Sequence, residues 1–322
     1  MAVYEGRALP RPGEELVDQG LAFDLETVAR RRQVLRAFGL GAVALGLGAC
    51  GDDGDESGTT AGTTETGLSE IPDETAGPYP GDGSNGPNVL TESGVIRKDI
   101  RSSFGEASGT AEGVPITLSL TIKDLAKSGA AFAGVAVYVW HCNRAGEYSL
   151  YSAGITAENY LRGVQIADSA GKVEFTSIFP ACYSGRWPHI HFEVYPDQAS
   201  ISDAAKAIAT SQIALPKVNC DEVYATTGYE SSVTNLQQVT LDSDNVFGED
   251  SGVTQLATVT GDATTGFAVA LEVGVDTTTT PTGGQNTGDG APSGAPPGGG
   301  PGGPPSGMPS GMPPGGGAPP SR

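Results

Sequence analysis

The chain has 322 residues, of which 38 are acidic and 18 basic, for a formal charge of −20. Phosphate binding needs a basic face, so this balance argues against a nucleic-acid partner. Residues 1–49 hold six Lys/Arg and six Asp/Glu, so the −20 stays with the remainder when they are removed.

Arg30-Arg31-Arg32-Gln-Val-Leu-Arg36 runs into the apolar stretch A-F-G-L-G-A-V-A-L-G-L-G-A, the pattern of an export signal. Arg31-Arg32-x-Val34-Leu35-Arg36 resembles the twin-arginine pattern, and Leu47-Gly48-Ala49-Cys50 resembles a bacterial lipobox. The apolar run is shorter than the roughly 20 residues that span a bilayer. The expectation is a signal over 1–49, with Cys50 lipidated and anchoring an exported lipoprotein to the outer face of the cytoplasmic membrane. Residues 50–67 are almost devoid of apolar side chains and read as a flexible tether. Residues 277–322 become Gly, Pro, Ser and Met without a period and read as a disordered tail.

What lies between, 68–276, is the size of one sandwich domain. Residues 114–122 alternate apolar and polar, and 134–140 put Val135, Val137 and Val139 on one face. Further strands are expected at 172–178, after the turn signal Asp168-Ser-Ala-Gly171, and at 189–195, 237–241, 256–260 and 267–275. Ser202-Asp203 marks the start of a helix over 204–210, and a second short helix includes 221–225. Short strands, few helices and long loops make an all-β sandwich.

Chemistry concentrates in Tyr183-Ser-Gly-Arg186-Trp-Pro-His189-Ile-His191. Strand side chains alternate, so His189 and His191 share one face while Ile190 and Phe192 take the other. Gly185 and Pro188 make a bend plausible that returns Tyr183 to the two imidazoles. Phenolate with imidazole suits a hard, oxidised metal, and ferric iron prefers anionic oxygen. A second tyrosine is therefore wanted, and Tyr148 follows a strand end at Trp140 and a polar loop with Gly146. Taken singly, a His-x-His strand is more often packing, Arg186 a surface ion-pair partner, and Tyr148 a strand-end aromatic. Their co-occurrence reverses those odds. His141 reads as a loop residue, and Trp140 and Tyr195 as packing.

Three segments carry a family likeness: V-W-x-x-N-x-x-G-x-Y ending at Tyr148, N-Y-L-R-G-V-Q-x-x-D-x-x-G-x-V-x-F-x-x-I-x-P from Asn159, and Y-x-x-R-x-x-H-x-H from Tyr183. Together they resemble the intradiol ring-cleavage dioxygenases, which include the catechol and protocatechuate dioxygenases, over about 75–215. The resemblance implies that family's β-sandwich core and a non-haem Fe(3+) centre held by Tyr148, Tyr183, His189 and His191. It further implies that Tyr183 leaves the metal and accepts a substrate proton, with Arg186 beside the bound ring. Gln212, in T-S-Q-I-A-L, matches a pocket glutamine, and Tyr79, in A-G-P-Y, a pocket wall. The implied substrates are a small catechol and O2, the product a cis,cis-muconate-type diacid, with no organic cofactor. Relatives include both single-chain and two-subunit assemblies, so the resemblance sets no oligomeric state.

With Cys50 lipidated, Cys142, Cys182 and Cys220 allow one disulfide in any of three pairings. Two other functions fit parts of the sequence. One is a non-catalytic cell-surface binding module on the same sandwich, which has no use for the full Tyr, Tyr, Arg, His, His set. The other is a zinc-dependent hydrolase, for which Cys182 and the histidines are ordinary donors but a third placed His or general base is not evident.

Overall fold

A computed structural model describes residues 67–284 together with two short N-terminal strands, β1 (Val3–Tyr4) and β2 (Arg7–Ala8). Those two pair antiparallel, Val3 opposite Ala8. The Arg31-Arg32 pattern, the Cys50 lipobox, the tether up to 66 and the tail from 285 lie outside the described residues.

In chain order the remaining strands are β3 (Pro115–Asp124), β4 (Ala130–Ala131), β5 (Ala136–Trp140), β6 (Arg162–Ile166), β7 (Lys172–Ile178), β8 (His189–Tyr195), β9 (Ala209–Ala214), β10 (Thr258–Asp262) and β11 (Gly266–Val275). One sheet is built on β3, which pairs parallel with β11 on one side. On its other side β3 pairs antiparallel with β7 and, at Lys123 and Asp124, with β4; β10 forms the far edge beyond β11. The second sheet has the order β6-β5-β8-β9 and is antiparallel throughout.

Alternation decides which side chains meet between the sheets. Ile116, Leu118, Leu120 and Ile122 of β3, with Phe175, Val269 and Val273, face Val137, Val139, Ile190, Phe192 and Val194 in one apolar cluster. Each such side chain contributes about 1.5–3 kcal/mol when fully buried. Antiparallel sheets commonly leave their other face wet, but β5 and β8 are buried at every position. Their outer residues, Ala136, Tyr138, Trp140 and Tyr195, are covered by Ala76, Val89, Leu90 and Val95 of the segment before β3. That arm is tied down by Arg162, only 1% exposed. Its guanidinium donates to the Pro80, Tyr79 and Ser149 carbonyls at 2.7, 2.9 and 2.9 Å.

Two helices follow β9, α1 (Lys217–Tyr224) and α2 (Glu230–Leu236). The helix expected over 204–210 is only a 3-10 turn, Ala204–Lys206, with the Asp203 carboxylate accepting from the Ala205 N–H. Residues from Ala209 onward pair with β8 instead, and cross-strand burial outweighs local helix propensity. The strand expected over 237–241 is instead the turn that follows α2, closed by a Thr240/Ser243 capping box on a 3-10 turn at Leu241–Ser243. The strand expected over 256–260 lies slightly later, at Thr258–Asp262. Beyond Asp276 the chain runs back along the start of the domain: the Thr282 N–H donates to Asp73 at 2.6 Å and that of Gly284 to the Glu74 carbonyl at 3.0 Å.

Candidate metal centre

The outer face of β8 is where the four predicted donors meet. His189 Nε2 and His191 Nε2 lie 3.1 Å apart. Tyr183 Oη is 3.1 Å from the first, Tyr148 Oη 3.3 Å from the second, and the two phenol oxygens are 3.4 Å apart. These are spacings of atoms that share one ion with bonds of about 2.0–2.1 Å.

Each tyrosine reaches this point through a locally determined loop. After β5, Asn143 Oδ1 accepts from the Ala145 and Glu147 N–H groups at 2.9 and 3.0 Å. Such an Asx turn favours a left-handed residue next, and Gly146 sits at φ +86°. A Cβ on Gly146 would lie 3.2 Å from Tyr183 Cβ, so the missing side chain lets the two tyrosine loops close on each other. The Tyr183 loop is held from behind by α2, where the Ser232 hydroxyl accepts from the Cys182 N–H at 3.0 Å and Asn235 donates to the Cys182 carbonyl at 2.8 Å. Tyr148 is buried, whereas Tyr183 is partly exposed.

The imidazoles are oriented by different means. The Trp187 carbonyl can only accept, so His189 Nδ1, 2.5 Å away, carries the proton and the Nε2 lone pair points into the centre. His191 is gripped by rings instead, with Trp140 stacked on it at 4.8 Å and 7° and Tyr138 stacked on Trp140 at 4.9 Å. From the arm, Gly77 packs so closely that a Cβ there would lie 3.3 Å from His191 Cε1. Trp140 is thus packing, as expected, but its packing partner is a donor ring. Tyr79 lies 5.1 Å from the Tyr148 ring, forming a wall beside the donors.

Electrostatics favour neutral imidazoles. Burial, aided by the nearby Arg186 cation, lowers the His189 pKa to about 3. Burial and His189 push His191 well below the ordinary imidazole range. Burial raises Tyr183 to about 12 against the pull of Arg186, and drives Tyr148 well above its ordinary value. Two phenols that resist ionisation in an apolar pocket become phenolates only if a cation sits among them. With two neutral imidazoles they would offset most of a trivalent ion's charge, so the donor set fits ferric iron.

Arg186 and Gln212 stand beside the donors. Gln212 is paired across the sheet with His191, and its Oε1 accepts from Arg186 Nη2 at 2.6 Å while its Nε2 donates to the Thr75 carbonyl at 3.0 Å. Arg186 Nε donates to Asp244 at 3.0 Å, both side chains being almost wholly buried. The roles of Asp244 and Arg162 escaped sequence reading: Asp244 comes from a segment with no motif of its own, and Arg162, though inside N-Y-L-R-G-V-Q, carries no local sign of the arm it holds.

His141 lies in the loop just past β5, as expected, but is buried and turned away from the donors, 2.8 Å from the Cys142 carbonyl and 2.7 Å from the Ser177 hydroxyl. Cys142, Cys182 and Cys220 are buried free thiols, and none of the pairings left open by the sequence is formed. Cys182 Sγ faces the Arg186 carbonyl at 3.4 Å. Among the described residues no group of three or more His, Cys, Asp or Glu is arranged for a metal.

Residues 85–199 match a protein-family model described as Dioxygenase, a span that contains Tyr148, Tyr183, Arg186, His189 and His191. No curated protein sequence matches the chain significantly. An intradiol ring-cleavage dioxygenase from Tetranychus urticae is similar in structure at 19% identity and a TM-score of 0.52, over 68% of this chain and 98% of its own. The dioxygenase domain of a dioxygenase carbohydrate-binding protein fusion from Streptomyces sp. SirexAA-E aligns at 19% identity and a TM-score of 0.41, over 65% of this chain and 99% of its own. A 3-chlorocatechol 1,2-dioxygenase from Rhodococcus opacus 1CP aligns at 15% identity and a TM-score of 0.38, over 59% and 70%. At such identities a structural likeness speaks for the fold, and the described domain has the β-sandwich fold of the intradiol ring-cleavage dioxygenases.

Proposed function

We propose that this protein holds Fe(3+) through Tyr148, Tyr183, His189 and His191 and cleaves a small catechol between its two hydroxylated carbons. Both atoms of O2 end in the two carboxyl groups of a cis,cis-muconate-type diacid, so the reaction balances without an organic cofactor. The observation that carries this is the meeting of two phenol oxygens and two imidazole Nε2 atoms at 3.1–3.4 Å. When bound, ferric iron would supply the Lewis acidity that makes a catechol ring reactive toward O2.

The chain's own side chains do the rest. Tyr183, on a partly exposed loop, is the donor free to swing away and take a catechol proton on its oxygen; buried Tyr148 stays. Arg186, fixed by Asp244 and Gln212, presents positive charge where negative charge develops on the ring. Tyr79 packs beside the Tyr148 ring and forms one wall next to the donors. His141 is engaged with Ser177 and Cys182 Sγ with a backbone carbonyl, so neither supplies the third donor that a zinc hydrolase needs.

The signal and lipobox extend this proposal to an exported enzyme anchored through Cys50, acting on catechols outside the cytoplasm. Cys50→Ser would move it from the membrane to the soluble exported fraction. The enzymatic claim is tested by oxygen uptake of iron-loaded protein with catechol, protocatechuate, hydroxyquinol and caffeate. Uptake with at least one, yielding a ring-opened diacid, is the expected result; no uptake with any of them contradicts it.

A further inference from the structure

Resting on the metal-centre reading above, we propose that Asp244 is the positioning residue of this site, setting Arg186 and His189 together from one buried carboxylate. It lies between the 3-10 turns Leu241–Ser243 and Phe247–Glu249 and is 2% exposed. Oδ2 accepts from Arg186 Nε at 3.0 Å and from the Trp187 N–H at 2.6 Å. Oδ1 accepts from the Val246 and Phe247 N–H groups at 2.8 and 3.1 Å, and from Arg186 Nη2 at 3.4 Å.

Two consequences follow from that geometry. A guanidinium gripped at Nε and Nη2 has its plane fixed, and Gln212 completes the grip at 2.6 Å. The Trp187 backbone, held at its N–H by Asp244, presents its carbonyl to His189 Nδ1. That contact decides which imidazole nitrogen is bare and faces the other donors. Asp244 therefore touches none of the reacting atoms yet governs the aim of two groups that do.

The test compares wild type with Asp244→Asn, Arg186→Met and the double variant, each first shown to fold by thermal unfolding of the metal-free protein. Asparagine keeps an acceptor but loses the charge. In the metal-free protein, nitrogen NMR of His189 should show an Nδ1-protonated ring in wild type and a mixed tautomer in Asp244→Asn. In the iron-loaded protein Asp244→Asn should lower kcat/KM about 10–100-fold, and the double variant should lose less than the product of the two single losses, because Asp244 acts in part through Arg186. An unchanged His189 tautomer with wild-type kcat/KM in Asp244→Asn overturns the proposal, as do single effects that simply multiply. If Arg186→Met is also without effect on kcat/KM, the role given to Arg186 is at fault, while the tautomer measurement still decides for or against Asp244. Should Asp244→Asn fail to fold, Asp244→Glu, which keeps the charge but displaces it, carries the same comparisons.

Discussion

Gly146 lies against Tyr183 so closely that a methyl group on its α-carbon would sit 3.2 Å from the tyrosine Cβ. The same glycine is at φ +86°, two residues before Tyr148, and so the loop that delivers one phenol is shaped around the other.

Gly146→Ala should therefore act twice. Left-handed backbone on a residue with a side chain costs about 1–3 kcal/mol, which urea unfolding of the metal-free protein would register. The forced separation of the tyrosine loops should also weaken iron retention against a chelator, whereas an alanine at exposed Gly154 should not affect it.

Arg162 is the second structural lever. Its removal leaves the carbonyls of Tyr79 and Ser149 without their donor inside the protein, while that of Pro80 keeps only the Tyr138 hydroxyl. Arg162→Met should cost about 3 kcal/mol or more in unfolding free energy. Arg162→Lys should recover only part, since an ammonium cannot span the fork. Proteolysis should cut first within the released arm, before β3.

The pH dependence of stability has a definite sign. Burial holds the His141 pKa at about 4, below its ordinary value of 6.5. As pH falls the unfolded chain takes up this proton first, so the contribution of neutral His141 is fully present above about pH 6.5 and is lost as the pH falls toward about 4. The loss amounts to about 3 kcal/mol at most. Urea unfolding of the metal-free protein should show lower stability at pH 4.5 than at pH 7, and His141→Gln should flatten that slope. Buried His189 and His191 act in the same direction, so the flattening is partial.

The donors were legible in the sequence because their spacing is dictated by backbone geometry. His189 and His191 share a face because strands have period two, and Asn143-x-x-Gly146 specifies the turn that carries Tyr148. Arg186 and Gln212 were reached through the family resemblance, and both stand beside the donors. Asp244 was not legible, since it meets Arg186 from 58 residues away, out of a stretch adjoining one that reads locally as a strand. The β9 strand was hidden for another reason: every one of its residues is buried, so A-T-S-Q-I-A lacks the one-sided alternation that marks a half-exposed strand. Likewise Arg162 has the look of a surface residue until the arm closes over it. What escaped the sequence is what long-range burial decides.

The most direct test of the account is a visible absorption spectrum of the iron-loaded protein, before and after a catechol is added without air. Two phenolates on ferric iron predict a broad charge-transfer band, shifted by the catechol and weakened strongly in Tyr148→Phe. A colourless protein, or a band indifferent to both catechol and the Tyr148→Phe substitution, would contradict it.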